Sequence, residues 1–247
     1  MAIGFAGGRI AEIAPAITSG APVIDAGGAV AIAGFVDSHV HLDKACILGR
    51  CGHAHGDVKA AIAAVSELKR AFTEEDVYAR AARCLDMAIV QGTTRMRSHV
   101  EVDPRAGLRS FEALRRLKRD YAWGLDLSLC VFPQEGLTND PGCDELLVEA
   151  LEAGADLLGG CPYADTDPLA QLDRLFDLAA AYDVDLDIHL DFDLDPSWSH
   201  FDEVCRRTEA AGRGGRVTIG HVTKLSARAP ETFERAARRL AGAGVAV

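Results

Sequence analysis

Short apolar runs alternate with amphipathic stretches along most of the chain. The first run, Ala26 to Val36, leads through Gly34-Phe35-Val36 into Asp37-Ser38-His39-Val40-His41, which predicts a buried strand with polar residues at its carboxyl end. Five further runs, Thr93 to Val100, Leu125 to Phe132, Ala155 to Cys161, Val184 to Leu190 and Val217 to Val222, are short and rich in β-branched residues or leucine, as buried strands are. Between them the pattern predicts helices. One runs from Glu74 to Gln91, started by Thr73 with Asp76 as its capping partner and stopped by Gly92. Others run from Asp144 to Ala153, Pro168 to Tyr182 behind Asp167, Ser197 to Ala211, and Pro230 to Ala241, with Pro168 and Pro230 suited to a first helical turn. Ahead of the first long run, Gly8 to Ile13 and Val23 to Gly28 read as two small strands.

The strand ends, taken at His99, Phe132, Cys161, His189 and His221, are separated by 33, 29, 28 and 32 positions, each the length of one βα unit. With the strand of His39 this makes six units, and Gly244 to Val247 opens a seventh. The expectation is an α/β chain with residues 34–247 as a (β/α)8 TIM-like barrel, truncated after about six units and about 60 residues short of closure. Residues 1–33 form a separate remnant of a small β-sandwich. An open doubly wound sheet has the same alternation and stays open as the alternative.

Composition narrows the chemistry. Of 247 residues, 49% are hydrophobic, enough for a core, and the formal net charge of −11 repels phosphate backbones and anionic lipids. Nucleic acid and membrane are therefore not expected partners, whereas a small molecule is. With no apolar stretch of membrane-spanning length and no basic amino-terminal leader, a soluble cytoplasmic protein is expected. Seven cysteines, an odd number without a C-x-x-C pair, fit free thiols. Cys46, Cys51, His53 and His55 lack the usual pair-loop-pair zinc spacing and read as part of a glycine-containing loop.

His39 and His41 carry the chemistry. Two apart on a strand, they leave the same face and can share one metal ion at roughly 2.0 to 2.1 Å. Asp37, Asp43 and Lys44 beside them suit polar contacts that hold the strand end. His99 reads as a packing or supporting residue, and His200, with His53 and His55, as ordinary surface histidines.

Taken together, Gly34 to Lys44, Arg97-Ser98-His99-Val100-Glu101-Val102-Asp103, Phe132-Pro133-Gln134-Glu135-Gly136, Gly159-Gly160-Cys161-Pro162, Asp187-Ile188-His189 and Gly220-His221-Val222 resemble the amidohydrolase superfamily. Within it they resemble the cytosine deaminase and isopropylammelide amidohydrolase group, in order and over nearly the whole chain. The resemblance implies a distorted barrel holding one divalent metal ion, zinc or iron, which activates a water for attack on a carbon–nitrogen bond other than a peptide bond. It implies His39, His41 and His189 as metal ligands, His221 as the hydrogen-bonding catalytic residue, and Gln134 as the amide that reads the edge of a pyrimidine or triazine.

The chain also departs from that group. Ala33 stands where a proline is usual, and the fourth strand ends in Gly159-Gly160-Cys161-Pro162 where binuclear relatives carry a bridging lysine, which points to one metal. The group's eighth-strand aspartate has no counterpart before Val247, so the chain by itself is expected to be inactive, and its unfinished sheet leaves pairing with a second copy open. Phe192 stands where cytosine deaminases carry a proton-shuttling glutamate. On a regular strand Asp191 shares the face of His189, which makes it the candidate substitute as catalytic acid and base. The expected function is a metal-dependent hydrolase of cyclic amidines or amides. The alternative is a non-catalytic fragment or pseudoenzyme that keeps the fold.

Overall fold

The computed structural model describes residues 1–51 and 58–247. The chain divides into two compact units, Met1–Ala33 and Gly34–Val247. His53 and His55 lie outside the described residues. Among the described residues, no helix is long and apolar enough to cross a membrane, and the seven cysteines are free.

In the first unit β1 (Ala2–Ala6) pairs antiparallel with β2 (Arg9–Ala14). Gly7 and Gly8 between them both take positive φ, at 57° and 73°, as a two-residue hairpin turn of this hand requires. The expected strand over Val23 to Gly28 is not formed. The hairpin turn supplies β2 with its neighbour from residues 2–6 instead, and Val23 and Ile24 stay 87% and 93% exposed, with no sheet face to bury them.

The second unit is one parallel sheet of seven strands: β3 (Phe35–Val40), β4 (Thr93–Glu101), β5 (Asp126–Phe132), β6 (Leu157–Gly160), β7 (Asp185–Leu190), β8 (Val217–His221) and β9 (Val245–Ala246). They lie side by side in chain order. A doubly wound sheet would reverse that order part-way, so the open alternative is excluded. The sheet is also curled. Flat, β3 and β8 would be about 24 Å apart at the usual strand spacing, yet the rings of His39 and His221 lie 5.1 Å apart, centre to centre. This is barrel architecture.

Helices follow the strands: α1 (Val58–Leu68) and α2 (Glu74–Val90) after β3, then α3 (Arg109–Asp120), α4 (Cys143–Glu152), α5 (Pro168–Tyr182), α6 (Phe201–Ala210) and α7 (Pro230–Ala243). The predicted caps form, since Thr73 Oγ1 accepts from Asp76 N at 3.2 Å and Asp167 Oδ1 from Ala170 N at 3.0 Å. Helix α6 begins four residues later than predicted. The Asp191 carboxylate holds Ser199 and the His200 backbone N–H, which keeps that stretch in a loop. The predicted burial of β3 does not hold over its first four residues. β3 is the edge of the sheet with β4 as its one partner, which leaves Phe35 and Val36 55% and 66% exposed.

The sheet's interior is tightest at β6. A side chain on Gly159 would begin 2.7 Å from the Asp187 carbonyl oxygen and 3.0 Å from Cys130 Sγ, and one on Gly160 2.2 Å from Leu175 on α5. Gly159→Ala should therefore destabilise the protein by about 1–3 kcal/mol through overpacking, read from the urea midpoint. An unchanged midpoint would show that the two strands can separate freely.

At the carboxyl ends of β3 to β5 a buried ion cluster ties α1 to the sheet. Lys69, at the end of α1, is 2% exposed and reaches Glu101, Asp103 and Glu135 at 3.0, 2.5 and 2.6 Å. Burial alone would push its ammonium down, but Glu101, Asp103 and Glu135 hold it above the ordinary lysine range. Lys44 shares Glu101, and Arg105 bonds Glu135 at 2.6 Å. Lys69→Met leaves buried carboxylates short of a countercharge, so unfolding free energy should fall by about 3–5 kcal/mol. A loss under about 1 kcal/mol in urea denaturation would contradict this role.

Candidate metal centre

The curl brings histidines from four strands to one place. His39 is the last residue but one of β3 and His41 follows the strand directly, with ring centres 5.3 Å apart. His189, 2% exposed near the end of β7, meets both: its ring is 4.7 Å from that of His39, and its Nε2 is 3.3 Å from His41 Nε2. Each of the three offers a ring nitrogen within 4.8 Å of the others. Two nitrogens bound to one tetrahedral ion at 2.1 Å sit about 3.4 Å apart, so the His41–His189 separation already fits shared ligation.

Electrostatics agrees with that geometry. Burial, reinforced by neighbouring charge at His99 and His221, lowers His39 to about 4, and burial pushes His41 and His189 well below the usual histidine range. Neutral imidazoles are the ligating form. His39 Nε2 is buried with no hydrogen-bond partner. Burying such a nitrogen unpaired costs free energy that a bound cation would recover. These residues fit one divalent ion.

His221 overhangs the cluster. Its ring centre is 5.1 Å from those of both His39 and His189. It reaches this position through two successive left-handed residues, His221 at φ 70° and Val222 at φ 44°, a conformation that costs non-glycine residues energy. Val222 N donates to Leu190 O at 3.0 Å, and Thr223 Oγ1 donates among the carbonyls of Asp191, Phe192 and Asp193 at 2.7 to 3.0 Å. These bonds hold the turn.

The wall around the cluster is aromatic and polar by turns. The Phe132 ring stacks on His189 at 4.7 Å, Phe192 meets His221 edge-on at 4.7 Å, and Tyr163 stacks on Phe192 at 5.7 Å. Gln134 is buried and donates through Nε2 to Cys161 Sγ at 3.1 Å. Asp37 Oδ1 accepts from His39 N at 3.2 Å, and Asp43 Oδ2 from Glu101 N at 3.0 Å, so both steady the end of β3.

Asp191 is placed differently from its expectation. β7 ends at Leu190, and Asp191 turns to φ 50°, so the alternation that would have set it on the face of His189 is already broken. Its carboxylate accepts from Ser199 and from His200 N. It holds the loop before α6.

A supporting layer lies beneath His39, with His99 in it as its position on β4 suggested. His99 is fully buried and stacks on His39 at 4.2 Å, with Nε2 3.4 Å from Asp187 Oδ2. Arg97 bonds the same carboxylate at 2.5 Å. Burial raises Asp187, but hydrogen bonds and charge from His99 and Arg97 outweigh it and hold the carboxyl below its ordinary range. His39, His99 and Asp187 also form a three-donor group. Because the Arg97 guanidinium already neutralises Asp187, the group supports His39 from beneath better than it would seat a cation of its own. The Arg97-x-His99 alternation on β4 and Asp187-x-His189 on β7 place these residues on the inner face, which is the signal that could have found them.

Comparison with known proteins agrees with this architecture. The amidohydrolase family profile matches residues 117–247, just over half of the chain. N-isopropylammelide isopropyl amidohydrolase of Pseudomonas sp. (strain ADP) is 30% identical over 227 residues, covering 89% of this chain and 56% of that protein. Pterin deaminase of Rhizobium rhizogenes is 29% identical over 248 residues, covering 98% and 56%. Among solved structures, 5-methylcytosine deaminase from Klebsiella pneumoniae liganded with 5-fluorocytosine superposes with a TM-score of 0.88 at 31% identity, over 96% of this chain and 58% of that one. N-isopropylammelide isopropylaminohydrolase from Burkholderia multivorans gives 0.75 at 34%, over 87% and 55%. The chain thus spans somewhat more than half the length of these relatives. With a curled parallel sheet, histidines gathered at its carboxyl end, and a family profile that covers its second half, this chain belongs to the amidohydrolase family.

Proposed function

We propose that this chain carries the metal-binding part of a hydrolase that cleaves carbon–nitrogen bonds, other than peptide bonds, in small nitrogen heterocycles such as pyrimidines, triazines or pterins. The observation that carries this is the convergence of His39, His41 and His189, one buried and two half-buried neutral imidazoles whose ring nitrogens lie within 4.8 Å of one another. A divalent ion held by them, zinc or iron, supplies the Lewis acidity that brings the pKa of water towards 7. His221 donates a hydrogen bond to the ring carbonyl or amidine as charge develops on it. Gln134, able to donate and accept at once, orients the ring edge, while Phe132 and Phe192 flank the ring and exclude water. Relatives named for deamination or amine release from ring compounds support this substrate class.

A second reading, binding without turnover, is favoured by one observation. The two carboxylates of the β7 segment, Asp187 and Asp191, are engaged by Arg97 and by Ser199 and His200, so neither is free to move protons to a leaving amine. Turnover separates the two.

The protein should take up one zinc or iron ion per chain in equilibrium dialysis. His41→Ala and His189→Ala should each weaken uptake by at least about 100-fold, whereas His99→Phe, which removes no proposed ligand, should retain one ion per chain. Undiminished uptake by the His41→Ala, His189→Ala double variant would refute the site. The loaded protein is then assayed for ammonia or amine release from cytosine, N-isopropylammelide and pterin. Chelator-sensitive release establishes the hydrolase, while ring binding without release establishes the second reading.

A further inference from the structure

One fully buried cation is not accounted for by the contacts described so far. Lys224 is 0% exposed and lies in the short 3-10 segment Thr223–Ala227, directly after the turn that carries His221. Its ammonium crosses to the loop between β7 and α6. There it donates to Trp198 O at 3.3 Å, pairs with Asp193 Oδ2 at 3.1 Å and sits 2.9 Å from the centre of the Trp198 ring. An ammonium has three N–H donors, and these three partners take them up. Burying a cation is costly, and a methionine would fill nearly the same space without that cost. A methionine would not hold two points of a loop, residues 193 and 198, at once.

The same loop is fastened at its start by the neighbouring residues. Thr223 Oγ1 donates among the carbonyls of Asp191, Phe192 and Asp193, and Val222 N donates to Leu190 O. Phe192 lies within this fastening, its ring edge-on to His221 at 4.7 Å. Beyond it Leu194 is 64% exposed and Trp198 42%, so apolar burial holds that stretch weakly. His221 and Val222 are left-handed at φ 70° and 44°, a conformation that persists in non-glycine residues where surrounding contacts over-determine it. We infer that Lys224 is a positioning residue for His221: by fastening Asp193 and Trp198 it joins the loop and the left-handed turn into one rigid piece, and so keeps the His221 ring over the histidine cluster. The role of His221 rests on the function proposed above, and the coupling rests on these contacts.

Backbone hydrogen exchange of the metal-free 247-residue protein, followed by NMR, reads the turn directly. Two amides are compared: Val222 N–H, bonded to Leu190 O, and Leu186 N–H, which donates to Arg216 O at 2.9 Å at the far end of the same pair of strands. Lys224→Met should speed exchange at Val222 at least about 10-fold and leave Leu186 within about twofold, because the lost charge-assisted bonds open the turn locally. Asp193→Asn, at a carboxylate 49% exposed, should act in the same direction by about two- to fivefold. Trp198 supplies the second readout. Trp123→Phe leaves it as the one tryptophan of the chain, and in that background His221→Gly should shift its emission, whereas the same substitution in the Lys224→Met chain should not. A lysine that served stability alone would leave Trp198 blind to residue 221. Equal acceleration at Val222 and Leu186 in both variants, or an emission indifferent to His221→Gly, overturns the inference. Neither readout involves metal or turnover, so the result is independent of the test of the proposed function.

Discussion

The curl of the parallel sheet is the constraint on which every functional contact depends. β3 and β8 are separated by four intervening strands, yet His39 and His221 stand 5.1 Å apart because the sheet wraps round. Flattening it would part His39 and His41 from His189 on β7. What permits the curl is the absence of side chains where strands crowd inward. Gly159 lies against the Asp187 carbonyl, and Gly220 sits beside the His39 ring, where a Cβ would be 3.5 Å from Cε1. A side chain has no room at Gly159, so the same glycine that allows the fold keeps this position from contributing a ligand.

Desolvation works in the same direction as geometry. Burial keeps His41 and His189 neutral, the form that ligates, and leaves His39 Nε2 without a partner. Such a cluster is costly for an apo protein and inexpensive for a loaded one, so metal binding and stability should be linked. Two supports stand around it: the Arg97–Asp187–His99 group beneath His39, and the Lys69 cluster that fixes α1 above Glu101. The exposed flank of β3 carries neither.

Much of this was legible in the sequence, for reasons that differ from element to element. Thr73 with Asp76, and Asp167 with Pro168, state helix starts locally, and both formed where predicted. His39 and His41 announce themselves by alternation, and strand ends about 30 residues apart set the register of the sheet. What the pattern did not delimit depends on contacts distant in sequence. Helix α3 has five basic residues in twelve and no capping side chain, so its buried stripe of Phe111, Leu114 and Leu117 is faint until β5 packs against it. The start of α6 was misplaced because Asp191 holds the preceding loop. Asp191 leaves the strand alternation because β7 ends at Leu190 and the next residue takes a left-handed φ of 50°. Ion partners such as Lys69 with Asp103, 34 residues apart, have no periodic signature at all.

The central claim is that one divalent ion is held by imidazoles from β3 and β7, and X-ray absorption at the zinc edge of the loaded protein measures that coordination directly. The account predicts a first shell of nitrogen and oxygen at about 2.0–2.1 Å with the multiple-scattering pattern of three imidazoles, and no sulfur. A shell containing sulfur at about 2.3 Å would place the ion on cysteines such as Cys46 and Cys51 and contradict it.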